Sequence, residues 1–330
     1  MTTLKKVAED AKVSITTVSR ILNNDSSLSV AEKTRKRVLE SAKKLGYRKK
    51  TFEFPLFNIA FLYWLTKETE IEDVYFREMR EEIENEAKKY NIEITCYTIE
   101  EGIDVVPKNI QGFIAVGSFK EKELNTLKEV TQNGVFIDTS PEATKYDSVR
   151  PDLYEITDHA IEYFIKSGHN EIGFIGGTFV DRDSETDFPD IRETQFRKKM
   201  KDMNLLDERY IYTSRGFTFK NGVSLMEKAI FELKDQMPTA FFVASDAIAL
   251  GCLQVLNKRG YSVPKRVSII SINDISLAKY VTPPLTTFRI NMSALVSNAL
   301  KLLSEQILEE RQYRKKLFIE SDLIIRKTTR

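Results

Sequence analysis

From residue 59 to residue 272 the chain alternates short apolar runs with longer amphipathic stretches, and this alternation leaves the fold little freedom. Runs at 59–63, 93–97, 113–116, 135–137, 172–175, 240–243 and 267–272 have the length and apolar density of buried strands. Helical periodicity fills intervals at 76–90, 153–167, 190–203, 222–233 and 247–259. Strands separated by helices align in parallel, with the helices covering the sheet faces. The strands are too many for one comfortable open sheet, so two similar α/β halves are expected.

In open α/β sheets ligands bind beyond the carboxyl ends of the strands. Polar or special residues stand there after the runs: Trp64, Ser118, Asp138, Gly176, Ser245 with Asp246, and Asn273 with Asp274. A lone strand-end carboxylate serves equally well as a helix N-cap; several converging from two halves favour a polar ligand. No phosphate-cradling glycine loop occurs, and Gly173, Gly176 and Gly177 lack the spacing of a dinucleotide fingerprint.

Ahead of this body lie three short helical patterns. In residues 3–11, Leu4, Val7, Ala8 and Ala11 share a face behind Thr3, a candidate N-cap. Residues 13–23 read as a turn and a second helix. Val18, Ile21 and Leu22 line one side, and the other carries short hydroxyls, Arg20 and Asn23, which suits a DNA groove. Ser14 is placed to cap that helix and aim its N-terminus at phosphate. Ser29 and Glu32 have capping-box spacing ahead of a third helix, which turns Val38, Leu39, Ala42 and Leu45 inward and stops at Gly46. Val13, Leu28 and Tyr47 close a core so small that it is only marginally stable alone, which suggests support from DNA, a partner subunit or both.

Charge separates head from body. Residues 1–50 hold 13 Lys and Arg against 5 Asp and Glu, while the rest holds 37 against 44. A one-signed basic module on a mildly acidic body is the footprint of a DNA-tethered protein. The polar N-terminus has no signal-peptide core, and no apolar run is long enough to span a bilayer. Two cysteines, Cys96 and Cys252, fit a reducing cytoplasm. His159 and His169, without neighbouring ligands, are expected at the surface, with no metal and no cofactor.

These residues resemble the LacI/GalR family of transcriptional repressors over nearly the whole chain. The likeness rests on Thr3, Leu4, Val7, Ala8, Ala11, Val13, Ser14, Thr17, Val18, Ser19, Arg20, Leu22 and Asn23 at the family spacing. Thr34 with Arg35, then Leu45, Gly46 and Tyr47, continue it. The body adds residues 172–177, 242–251 and 283–287, whose wording is similar to the repressors of β-galactosidase and galactose operons.

The resemblance implies an N-terminal all-α helix-turn-helix head (1–47), a short linker (48–57) and an α/β periplasmic-binding-protein-like core of two parallel-sheet subdomains (58–330). It implies a cytoplasmic homodimer on a two-fold related, double-stranded operator. Ile15, Thr16 and Arg20 match base-reading positions, and Thr3, Ser14, Thr17, Ser19 and Asn23 match phosphate-positioning ones. In the cleft, Arg192 matches a sugar-binding arginine and Phe217 an aromatic that covers the sugar's apolar face. Asp138, Asp246, Asn273 and Asp274 match polar strand ends, Tyr75 an aromatic at the mouth of the first core helix, and Trp64 is placed to stack on ligand or to act as an apolar lid.

One stretch departs from the family. The Ala-Arg-x-x-Leu segment that wedges into the minor groove is missing from residues 48–57, where Phe52, Phe54 and Pro55 stand instead. A truncated or absent hinge helix is expected. With no heptads at the end of the chain, a coiled-coil tetramer is not expected. The expected function is repression of a sugar-utilisation operon, relieved by galactose or a galactoside. The rivals are a regulator sensing a purine or a protein co-repressor, and an enzyme of sugar metabolism with an accessory DNA head. The enzyme lacks a nucleophile–base pair, phosphate loop or metal cluster.

Overall fold

The computed structural model describes residues 3–22, 28, 30–47, 57–67, 70, 74–90, 92–141, 145–309, 311 and 313–330. Asn23, Ser29 and the linker residues 48–56, with Phe52, Phe54 and Pro55, lie outside the described residues.

The head is α1 (Leu4–Ala11), α2 (Ile15–Leu22) and α3 (Glu32–Lys44). Val7, Ala8, Ala11, Val18, Ile21 and Val38 form the centre of its core, with Val13, Leu28 and Tyr47 packed around it as their apolar spacing predicts. Two polar ties reinforce so small a core. Asp10 accepts from Ser41 and from Lys44 Nζ at 2.8 Å, and Arg37 Nε donates to the Ala11 carbonyl at 2.8 Å. Gly46, at φ 60°, ends α3 in the left-handed conformation that glycine adopts without strain. The helix opens at Glu32 with Ala31 in the cap position and no side-chain cap bond, later than the Ser29 spacing predicts.

The body holds two sheets. The first contains β1 (Phe57–Trp64), β2 (Ile92–Thr98), β3 (Gly112–Gly117), β4 (Gly134–Ile137), β5 (Asp147–Pro151) and β12 (Lys316–Ile319). Its order is β12-β5-β4-β3-β1-β2 and every pair in it is parallel. The second contains β6 (Ile172–Val180), β7 (Asp187–Pro189), β8 (Ile211–Arg215), β9 (Ala240–Val243), β10 (Ser268–Asn273), β11 (Thr286–Arg289) and β13 (Asp322–Ile324). Its order is β13-β11-β10-β9-β6-β7, with β8 also on β6; only β7 and β13 run antiparallel to their neighbours.

Helices α4 (Val74–Lys89), α5 (Glu121–Val130), α6 (Leu153–Lys166), α7 (Ile191–Asp202), α8 (Phe219–Leu233), α9 (Asp246–Lys258) and α10 (Met292–Glu309) cover these sheets. The chain changes sheet three times: between β5 and α6, between β11 and α10, and between β12 and β13. Asp152 marks the first crossing and caps α6, accepting from Tyr154 N and Glu155 N at 3.1 Å each. The two halves are therefore joined through three short strands of chain, a geometry that permits rotation of one against the other.

His169 corrects its sequence reading. Only 4 % exposed, it packs edge-on against Phe164 and meets Thr239 Oγ1 through Nδ1 at 2.8 Å. Burial lowers its pKa, so it stays neutral. His159 is exposed, as expected. No helix among the described residues is long and apolar enough to cross a membrane.

Candidate functional site

In the head, packing decides which face of α2 is offered outward. Val18, Ile21 and Leu22 face the core, which leaves Ser14, Ile15 and Thr16 exposed; Ile15, at 48 %, is a large apolar side chain held in solvent. Thr17, Ser19 and Arg20 are half-buried along the same flank. Ser14 caps the helix as predicted: its Oγ accepts from Thr17 N at 3.0 Å and meets Thr17 Oγ1 at 2.8 Å. Thr3 is exposed and sits at the cap of α1, but its side chain makes no cap bond. Thr3 thus holds the N-cap position that the sequence gives it, and caps through its carbonyl, which accepts from Lys6 N and Val7 N.

In the body, Arg192 lies in the first turn of α7 and is 8 % exposed. A positive charge at a helix N-terminus opposes the dipole, and Asp190 resolves the conflict. Asp190 caps α7 through Arg192 N at 2.8 Å and also takes two of the three guanidinium nitrogens, Nε at 2.5 Å and Nη2 at 2.9 Å. The remaining arm, Nη1, donates to the Ala244 carbonyl beyond β9 at 2.6 Å. The guanidinium lies 4.8 Å from the centre of the Phe217 ring. Gly177 makes this close fit possible, since a Cβ there would stand 2.2 Å from the Gly216 carbonyl, just before Phe217.

Across from Arg192, Asp138 ends β4 with φ 68° and accepts from Tyr75 Oη, on α4, at 3.1 Å. Burial raises the Asp138 pKa, while the Arg192 charge and the Tyr75 hydrogen bond pull it down. Burial likewise works against the Arg192 charge, and Asp190 and Asp138 more than restore it. Left-handed backbone at a non-glycine strand end is a strain that surrounding structure must hold; Asn273 (φ 120°) and Asp274 (φ 54°) show it too. The two halves thus bring Tyr75, Asp138, Arg192 and Phe217 into one polar and aromatic constellation.

Three expected ligand contacts are placed elsewhere. Trp64 is 1 % exposed and stacks on Phe119, 5.2 Å between centres, in the apolar layer under the first sheet. It serves as core and not as a ligand platform. Asp246, fully buried, accepts from Ser271, from Thr287 Oγ1 at 2.7 Å and from Ile275 N at 2.9 Å. Those hydroxyls are the protein's own, so Asp246 fastens α9 to β10 and β11. Asp274 is engaged by Arg326 Nη2 at 2.6 Å and Arg289 Nε at 2.8 Å.

Residues 3–50 match the family described as bacterial regulatory proteins, lacI family, and residues 161–329 match a periplasmic binding protein-like domain. The HTH-type transcriptional regulator GanR of Bacillus subtilis (strain 168) is 51% identical over 328 residues, 99% of each chain. This chain belongs to the lacI family. The HTH-type transcriptional regulator GalR of Lacticaseibacillus casei is 35% identical over 99% of each chain. The fold matches that of the lac repressor dimer bound to operator and the anti-inducer ONPF, with a TM-score of 0.70, 20% identity and 99% of both chains covered.

As a lacI-family member the chain is a DNA-binding transcriptional regulator, not an enzyme of sugar metabolism. Residues of this lacI-family cleft differ in how far the sequence shows them. Asp190 was legible as a partner of Arg192, because Asp two residues before an Arg at a helix start is an N-cap signal; the structure buries the pair where the sequence allowed it at the surface. Arg182 and Asp183, at the tip of the β6–β7 hairpin, gave no such sign. Arg182 Nη1 donates to the Ser118 carbonyl and to Glu123 Oε2, at 2.8 Å each, and Asp183 accepts from Glu121 N at 2.7 Å. The hairpin thereby ties the second sheet to the start of α5 on the first.

Proposed function

We propose that the chain is a cytoplasmic, homodimeric repressor of a sugar-utilisation operon, released from its DNA by galactose or a galactoside. The reading rests on one observation: a buried guanidinium held over the Phe217 ring at the junction of two hinged halves. A planar fork suits paired hydroxyls, and an aromatic face suits the C–H side of a pyranose. Asp190 holds Arg192 in place before any ligand arrives, which lowers the ordering cost of binding. Asp138 supplies an acceptor from the opposite half, and Tyr75 Oη, its proton given to Asp138, supplies a second. A sugar that contacts both halves favours one relative orientation and so changes the spacing of the two heads. Losing simultaneous engagement of both half-sites removes the dimer's avidity.

The test uses the full chain, its operator fragment, and a panel of galactose, other sugars, purines and nucleosides. Galactose or a galactoside is expected to raise the melting temperature and release the DNA. Stabilisation by a purine alone overturns the proposal. Arg192→Ala strands the buried Asp190 carboxylate at a cost of ~3–5 kcal/mol to the fold, so Arg192→Lys is the cleaner variant. It keeps the charge and loses the fork; sugar affinity should fall by ~1.5–3 kcal/mol while operator binding without sugar persists. Unchanged sugar affinity in Arg192→Lys sinks the assignment of this site.

A further inference from the structure

The hairpin of β6 and β7 has two unlike faces. By the register Thr178↔Pro189, Phe179↔Phe188 and Val180↔Asp187, alternate residues point to opposite sides. One side carries Asp187 paired with Arg215 Nε at 2.9 Å. The other carries Phe179 and Phe188, directly opposite each other, stacked with 5.7 Å between centres and 25° between planes. Both rings stay in solvent, Phe179 at 41 % and Phe188 at 47 % exposure. Phe179 also lies 4.8 Å from Phe217, centre to centre, and Phe217 lies 4.8 Å from the Arg192 guanidinium. The aromatic surface therefore starts at the buried arginine and runs outward ring by ring.

We infer that Phe179 and Phe188 form a second sugar subsite, and that the effector is a saccharide of at least two rings. This rests on the reading of the Arg192–Phe217 cleft as a sugar site. The first ring lies at Arg192 and Phe217, and the next extends along the hairpin with its C–H face on Phe179 and Phe188. Continuity with the buried site argues for this occupant. The surface is also positioned firmly, because the Arg182 and Asp183 contacts fix the tip of the hairpin to α5. A platform fixed at both ends recognises a rigid apolar face at little ordering cost.

Calorimetric titration of the full chain tests this with galactose and with α-1,6-, β-1,4- and β-1,6-linked galactosyl disaccharides. At least one disaccharide should bind about tenfold tighter than galactose, the gain expected from burying one additional C–H face. In Phe188→Ala and Phe179→Ala that ratio should collapse to within about twofold, and Phe188→Tyr should restore it. Galactose binding with no disaccharide preference overturns this inference and leaves the proposed function standing; failure of every sugar to bind overturns both. A preference that survives both alanine variants assigns the second ring elsewhere. Alanine variants that dissociate the dimer and leave the ratio intact make the face a subunit contact, which also overturns it.

Discussion

Burial pushes the Asp246 carboxyl up to about 7, and the Ser271 and Thr287 hydroxyls and the Ile275 N–H recover only part of the cost of its charge. The folded value stands above the ordinary 3.8, so the folded chain prefers the protonated acid. Its contribution to stability is complete below that ordinary value and is lost as pH rises through about 7. Asp246→Asn keeps an acceptor for the hydroxyls and removes the charge. Calorimetry at pH 5 and pH 8 should show the variant gaining on the parent chain as pH rises; parallel curves would disprove a buried titration. The residue scale also explains why strand-end carboxylates misled the sequence reading. Asp138, Asp246 and Asp274 share a position in the pattern. Their roles diverge through long-range partners: Tyr75, the Ser271–Thr287 pair, and Arg289 with Arg326.

Among the elements, α2 was legible because its apolar face and its cap are local. Ser14 to Thr17 is a contact within one turn, and Ser14→Ala should destabilise the head by ~1 kcal/mol. That loss should weaken binding to operator and random DNA alike. Arg20→Ala should instead narrow the gap between operator and random DNA, by ~1–3 kcal/mol per half-site. Competition binding separates the two; equal narrowing by both variants would remove Arg20 from base reading. The central strands were legible for the same local reason, as continuous apolar runs. Strands β5, β7, β8, β11, β12 and β13 were not. β5 reads Asp-Ser-Val-Arg-Pro, and nothing local makes it a strand; it is fixed by β4, by β12 and by Asp147, which accepts from Arg311 and from Lys315 N at 2.7 Å. Strands of this kind take their conformation from distant pairing.

Taken whole, the molecule has two halves joined by three crossings, and the hairpin tip adds a contact between them. The Arg182–Glu123 pair is bidentate and mostly buried, so it adds to holding the halves together. Arg182→Ala should speed sugar release several-fold, by stopped-flow measurement, with operator affinity unchanged; an unaltered off-rate would show that the tip does not hold the halves. The three crossings also set a schedule for biosynthesis. β12 closes an edge of the first sheet and β13 an edge of the second, and both come from residues 316–324. Thr328 then links Thr286 N to the Ile269 carbonyl. Neither half can complete its sheet on the ribosome before these residues emerge, although most of the first sheet has been translated long before. The nascent chain therefore carries an unpaired β5 edge from residue 151 until residue 316 emerges, and an unpaired β11 edge from residue 289 until residue 322 does. A stop codon or protease cut near residue 315 would disable both halves together, where the same lesion in a protein of two sequential domains would spare the first.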